Sequence, residues 1–167
     1  MYFAGAISSG LFVTRSGDIY GRKLPTMISA LVSIPIHIAL MASTNLNFSI
    51  VMFYLFGLTR PGKMQVSFVY VSELVPEKFR RYVGTFILFF DGSSLILFGF
   101  YFLLISKNWV YFQVFTLLLS IASTAILFLI PESPKYLMNK RRYEDARNSF
   151  VKIAIINQVC SEAIQKI

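Results

Sequence analysis

From Leu24 to Thr59 the chain carries no Asp, Glu, Lys or Arg, and the same holds from Asn108 to Pro131. An uncharged apolar run of about 18 or more residues is long enough to cross the hydrocarbon layer of a membrane. A buried core helix could account for one such run, but not for most of a chain that is 56% hydrophobic and 14% charged, with a mean hydropathy of +0.63. Soluble domains keep one face of each element polar, and here that face is missing. The composition excludes a soluble enzyme, a nucleic-acid reader and a disulfide-stapled secreted module. It predicts an all-α, polytopic membrane helix bundle.

The spans follow from length and breakers. A bilayer core needs roughly 20 helical residues, because no backbone polar group can stay unpaired in lipid. The run from Leu24 to Thr59 is too long for one helix, and Thr44-Asn45-Leu46-Asn47 is its only polar cluster, so the turn belongs there. Spans are predicted at 26–43, 49–72, 82–105 and 109–130, the last ended by Pro131, with Ser106-Lys107-Asn108 turning the chain between the last two. Residues 1–16 are apolar with small side chains, and no basic residue precedes them as a signal peptide would require. They read as the inner part of a further span whose start is missing. Residues 131–167 turn basic and read as a tail, with Tyr143, Ala146, Phe150, Ile153 and Ala154 at the spacing of a short amphipathic helix.

Charge then orients the spans. Residues 15–23, 73–82 and 131–167 hold thirteen of the sixteen Lys and Arg residues, the opposite side holds only Lys107, and Arg60 and Lys63 lie within a span. Cytoplasmic connections carry the Lys/Arg excess, so the first group is predicted inside. The net charge of +8 therefore reports topology rather than a nucleic-acid partner. Cys160 falls in the reducing compartment, away from any disulfide. Asn47-Phe48-Ser49 matches a glycosylation acceptor, but its loop is too short for modification to be expected.

The basic connections also carry charges of both signs at the ends of different helices. Asp18 and Arg22 stand one helical turn apart, and Gly17 and Gly21 suit a tight reversal. With Lys23, Glu73, Arg80 and Glu132 they form a candidate charge network that closes an inner gate in one state and breaks in the other. Simple anchoring of helix ends explains any one of these residues equally well; it does not explain the ordered set. One His and one Cys give no metal or nucleophile constellation, so no catalysis, metal or cofactor is expected.

Three connections resemble one family. Gly17-Asp18-Ile19-Tyr20-Gly21-Arg22-Lys23 is similar to the loop between the second and third helices of major facilitator superfamily transporters. Glu73-Leu74-Val75-Pro76-Glu77-Lys78-Phe79-Arg80-Arg81-Tyr82-Val83-Gly84 is similar to the loop between their fourth and fifth helices. Pro131-Glu132-Ser133-Pro134-Lys135-Tyr136-Leu137 resembles the segment after the sixth helix in sugar porters and organic cation/anion transporters, and Arg142-Tyr143-Glu144-Asp145-Ala146-Arg147 resembles the organic-ion branch. The sequence departs from the pattern at Thr14, where a small Gly is usual, and at Ile19 and Lys135, where basic residues are common. The resemblance implies a partial major facilitator fold, helices equivalent to two to six, whose substrate site lies at the midplane between two six-helix halves. It implies as partners the lipid bilayer, a small organic solute, a coupling ion, and a missing C-terminal half or second chain.

Within the spans, Arg60 and Lys63 lie on one helical face and Asp91 lies in the next span at about the same depth, ~12–14 Å from the basic end at 1.5 Å per residue. A cation there costs about 3 kcal/mol on insertion scales, so it should meet water or a partner. Lys63 and Asp91 are expected to pair across helices, leaving Arg60 to meet solute; an ion pair that merely joins two helices fits Lys63 and Asp91 as well. Two buried cations against one acid lean toward an anionic solute. His37 is expected to make one hydrogen bond or to pack, rather than relay protons.

The expected function is transport of a small organic solute, organic ion or sugar-like, by alternating access in a multi-pass protein of the plasma membrane. A truncated, non-transporting fragment, or a half-transporter needing a partner half, is the alternative. With Cys160→Ser as background, cysteines replacing Arg80 and Lys140 should react with an impermeant thiol reagent from the same side of intact cells; labelling from opposite sides would overturn the topology.

Overall fold

The computed structural model describes residues 1–105 and 107–156; Cys160, Lys166 and the expectations attached to them lie outside these residues. Everything regular among them is helical. Helix α1 (Tyr2–Tyr20) is followed by α2 (Lys23–Ala42), and α3 (Leu46–Pro61) continues through a π-turn at Gly62–Val66 into α4 (Ser67–Leu74). Helix α5 (Glu77–Phe100) ends in a second π-turn at Tyr101–Ile105, and α6 (Trp109–Leu129), α7 (Pro134–Asn139) and α8 (Tyr143–Ile156) follow. The helix α2, the run Glu77–Leu104 and α6 are long and apolar enough by length and composition to cross a membrane.

Element ends differ from the sequence-based expectation for local reasons. Helix α1 runs past Arg15 to Tyr20, so Gly17 is a helical residue facing Val66, and only Gly21, at φ 110°, makes the reversal. That positive φ is open to glycine without strain. The 16, 5 and 8 residues of α3, the π-turn and α4 form one rod of about 43 Å. Pro61 supplies no backbone N–H to the ladder, and the register widens to i→i+5 immediately after it. Helix α5 begins at Glu77, directly after Pro76, rather than at Tyr82. Asn108 caps α6 by accepting a hydrogen bond from the Val110 N–H at 3.2 Å.

The packing inverts that of a soluble protein. Large apolar side chains point outward, with Leu11 and Leu103 more than four-fifths exposed, while the interior holds Ser9, Thr26, Ser29, Ser33, Thr59 and Thr124. Lipid tails are as apolar as Leu, so large side chains gain nothing by turning inward and helices meet through small residues instead. Gly5 and Gly57 bring α1 onto α3: a Cβ on Gly57 would overlap the Tyr2 carbonyl, and one on Gly5 would overlap the Tyr54 carbonyl. Gly62 likewise seats against Ser29 of α2, whose other side packs on α6. Helix α5 has no buried residue and rests mainly on α4. In the tail, α8 buries Ala146, Ser149 and Ala154 while Tyr143 and Phe150 stay exposed, so its packed face is rotated from the expected apolar stripe.

Gly57→Val should loosen the α1–α3 contact and cost about 1–3 kcal/mol, read as a lower thermal midpoint in detergent. Gly99→Ala, where a Cβ meets nothing within 4 Å, should leave that midpoint unchanged or slightly raised.

Candidate functional site

At the basic end of the bundle, the α1–α2 turn, the end of α4 and the segment after α6 close on one cluster. The Glu132 carboxylate accepts the backbone N–H groups of Arg22 at 3.1 Å and Lys23 at 3.0 Å, which are free because they open helix α2. An anion at that position also meets the positive end of the α2 dipole. Lys23 returns the contact: its ammonium donates to the carbonyls of Phe128 at 3.2 Å and Ile130 at 2.6 Å, which end α6. Each helix thus caps the other through a charged side chain. The left-handed turn at Gly21 brings its Cα to the carboxylate, where a Cβ would come within 2.5 Å of Glu132.

A second layer ties in α1, α4 and α7. Arg22 donates to Asp18 and lies 3.6 Å from Glu73. Glu73 accepts from the Ser133 hydroxyl at 2.6 Å, and that hydroxyl oxygen accepts the Tyr136 N–H that opens α7. Tyr136 donates through its phenol to the Ile19 carbonyl at 2.7 Å, and Tyr70 donates to the Pro131 carbonyl. Burial alone would lower the Arg22 pKa, but the hydrogen bond to Asp18 and the charges of Glu73 and Asp18 outweigh it and raise the value. Arg22 is a fixed cation. Among the described residues its buried Nε has no hydrogen-bond partner, since 3.6 Å to Glu73 exceeds hydrogen-bond range.

Asp18, Arg22, Lys23, Glu73 and Glu132 therefore meet, whereas Arg80 stands apart. Its Nε donates to the Ser72 carbonyl at 3.1 Å and its guanidinium faces Glu77 at 3.9 Å, one turn earlier on α5. From sequence Tyr70 reads as lipid-facing bulk or a stacking surface for an aromatic solute, but it is buried and bonded to the Pro131 carbonyl; sequence reasoning gave no role to Ser133 or Tyr136. The last two lie in the quoted Pro131–Leu137 motif, whose Ser-Pro pair signals the helix start that Ser133 caps.

Deeper in the bundle, Arg60, Lys63 and Asp91 line a common cleft of about 200 Å³ together with Tyr2, Phe56 and Thr59. The expected Lys63–Asp91 ion pair is not formed. Lys63 extends to α2 instead, donating to the Ser33 hydroxyl at 3.1 Å, with its ammonium 5.8 Å from the Phe56 ring centre. Lys63 stands in the π-turn, where the winding departs from the α-helical spacing used to align it with Asp91, and Asp91 is exposed on α5. Nor does Arg60 stand free, for its guanidinium lies 5.5 Å and 5.4 Å from the ring centres of Tyr2 and Phe3. It also borders an open groove of about 990 Å³ between α1 and α3. His37 shares a hydrogen bond with Gln113 of α6 and meets the Phe56 ring edge-on at 5.8 Å. Thr14, in place of the usual glycine, donates to Gln65 at 3.1 Å and so adds a polar contact between α1 and the π-turn.

The chain belongs to the sugar (and other) transporter family, whose model matches residues 1–167. It is an integral membrane protein. Among known proteins it is 31% identical over 102 residues to the carcinine transporter of Drosophila melanogaster, covering 60% of this chain and 15% of that one. It is 27% identical over 157 residues to solute carrier family 22 member 3 of Rattus norvegicus, covering 93% and 27%, and 30% identical over 145 residues to the glucose transporter GlcP of Staphylococcus epidermidis, covering 86% and 32%. The chain thus spans less than a third of the length of these relatives. Its fold is similar to part of the xylose transporter XylE from E. coli in a partially occluded inward-open conformation, with a TM-score of 0.70 at 19% identity over 99% of this chain and 45% of that one.

Glu132→Ala removes an anion that caps α2 and should cost about 2–3 kcal/mol of stability. Arg80→Ala, outside the cluster, should cost less than about 1 kcal/mol. Thermal unfolding of both variants in detergent checks the contrast.

Proposed function

We propose that this chain serves the transport of a small organic solute, an organic ion or a sugar, by alternating access in the plasma membrane. The observation that carries this reading is the reciprocal capping of α2 and α6 by Glu132 and Lys23. It joins segments far apart in sequence at one end of the bundle through polar contacts that can break and reform without unpacking an apolar core. The buried Arg22 Nε, short of a hydrogen bond, supports a cluster that moves between arrangements. By this reading the basic end is cytoplasmic, and the cluster of Asp18, Arg22, Lys23, Glu73 and Glu132 is the inner gate, with Arg80 beside it.

The solute site, on the same reading, is the cleft of Arg60, Lys63 and Asp91. Two cations favour an anionic group, the Tyr2 and Phe56 rings suit an apolar or aromatic body, and Asp91 is available to a coupling ion. Family membership supports solute transport in general. The absence of any fully buried residue on α5 supports a second reading in which this chain works as a half-transporter, completed by a further six-helix half that walls the cleft.

Uptake of radiolabelled anionic, cationic and sugar probes by cells making this chain, alone and with a complementary half, tests both readings. The expected outcome is saturable uptake of an anionic probe that needs the second half, with Arg60→Gln raising KM roughly tenfold or more. Absence of uptake with and without the second half would leave a non-transporting fragment.

A further inference from the structure

We propose that the groove between α4 and α5 at the basic end binds one anionic phospholipid, with its phosphate between Arg81 and Lys135 and an acyl chain along Phe68, Val69 and Gly84. The groove measures about 690 Å³ and brings together residues of α4, α5 and α7. Of its acids, Glu73 accepts from Ser133 and lies 3.6 Å from Arg22, while the exposed Glu77 lies 3.9 Å from Arg80, so the cations on this rim outnumber the acids. Arg80 is likewise held by the Ser72 carbonyl. The Arg81 guanidinium and the Lys135 ammonium make no hydrogen bond or ion pair among the described residues, and both are exposed on this rim. Two uncommitted cations facing one groove recognise an anion.

The wall below them selects a lipid rather than a soluble phosphate. Phe68 and Val69 are each more than a third exposed and line the groove beneath the basic rim. Gly84, just inside α5 from Arg81, leaves that wall open, since a Cβ there would meet only the Phe68 ring, at 3.6 Å. A basic rim above an apolar slot, at the end of a membrane helix bundle, matches both parts of a phospholipid, and neither part of the groove needs the other to explain it.

Native mass spectrometry of the chain in nonionic detergent, titrated with phosphatidylglycerol and with phosphatidylcholine of the same acyl chains, tests this. Phosphatidylglycerol should bind roughly tenfold or more tightly than phosphatidylcholine. Arg81→Gln with Lys135→Gln should abolish that preference, while Lys140→Gln with Lys152→Gln, an equal loss of charge elsewhere, should keep it. Gly84→Leu, which keeps every charge, should weaken retention of both lipids by filling the slot. Equal binding of the two lipids overturns the proposal, as does a preference that survives the Arg81/Lys135 change or is lost equally in the control. Displacement of the lipid by inorganic phosphate at matched concentration would also overturn it, in favour of a free-anion site. If the double variant loses its helical circular dichroism, Gly84→Leu decides, and unchanged lipid retention there overturns the proposal.

Discussion

In lipid, two helices gain no hydrophobic free energy by touching, so they stay together only where their backbones come close and their polar groups find each other. In this chain that constraint is met at Gly5, Gly57 and Gly62, which let α1, α3 and α2 approach until a single added carbon would overlap the neighbouring chain. Around these crossings the interior is rich in serine and threonine, and most large side chains, Tyr70 excepted, face outward. The positions of the charged cluster and of the Arg60–Lys63–Asp91 cleft follow from this frame. Both draw residues from the helices that these glycine contacts join.

The charged cluster solves the second problem of a membrane helix, its ends. The first N–H groups and last carbonyls of a helix have no partner within it. Glu132 and Lys23 exchange those groups between α2 and α6, and Ser133 does the same for α7 while holding Glu73. The hydrogen bonds of Glu132, Lys23 and Glu73 are stronger than bonds between neutral groups, because one member of each is charged. They are also directional. A helix displaced by a few ångströms loses them together, so a cluster of this kind favours discrete arrangements over a continuous range.

The sequence made much of this legible. The uncharged runs announced membrane helices, and the three motifs placed Asp18, Arg22, Lys23, Glu73 and Glu132 at helix ends, where the structure brings them together. It misread Arg80, because a guanidinium on a long stem takes the nearest carbonyl and acid on offer, here Ser72 and Glu77. It misread the partner of Lys63 for a related reason. Depth along two helices can be counted from the sequence, but the direction a side chain faces depends on local winding, and the π-turn at Gly62–Val66 alters that winding at Lys63 itself.

What the sequence alone determined is what lipid dictates residue by residue: which segments are helical, where they break, and which ends carry the basic charge. These follow from local composition, since an unpaired peptide group or a bare charge in hydrocarbon is costly wherever the rest of the chain lies. Only the tertiary structure decided which helices touch, that Glu132 caps α2 as well as accepting from its neighbour Ser133, that Lys63 turns to Ser33, and that α5 buries none of its residues fully. Those outcomes depend on the rotation and tilt of each helix about its axis, which are set by close contacts between residues distant in sequence.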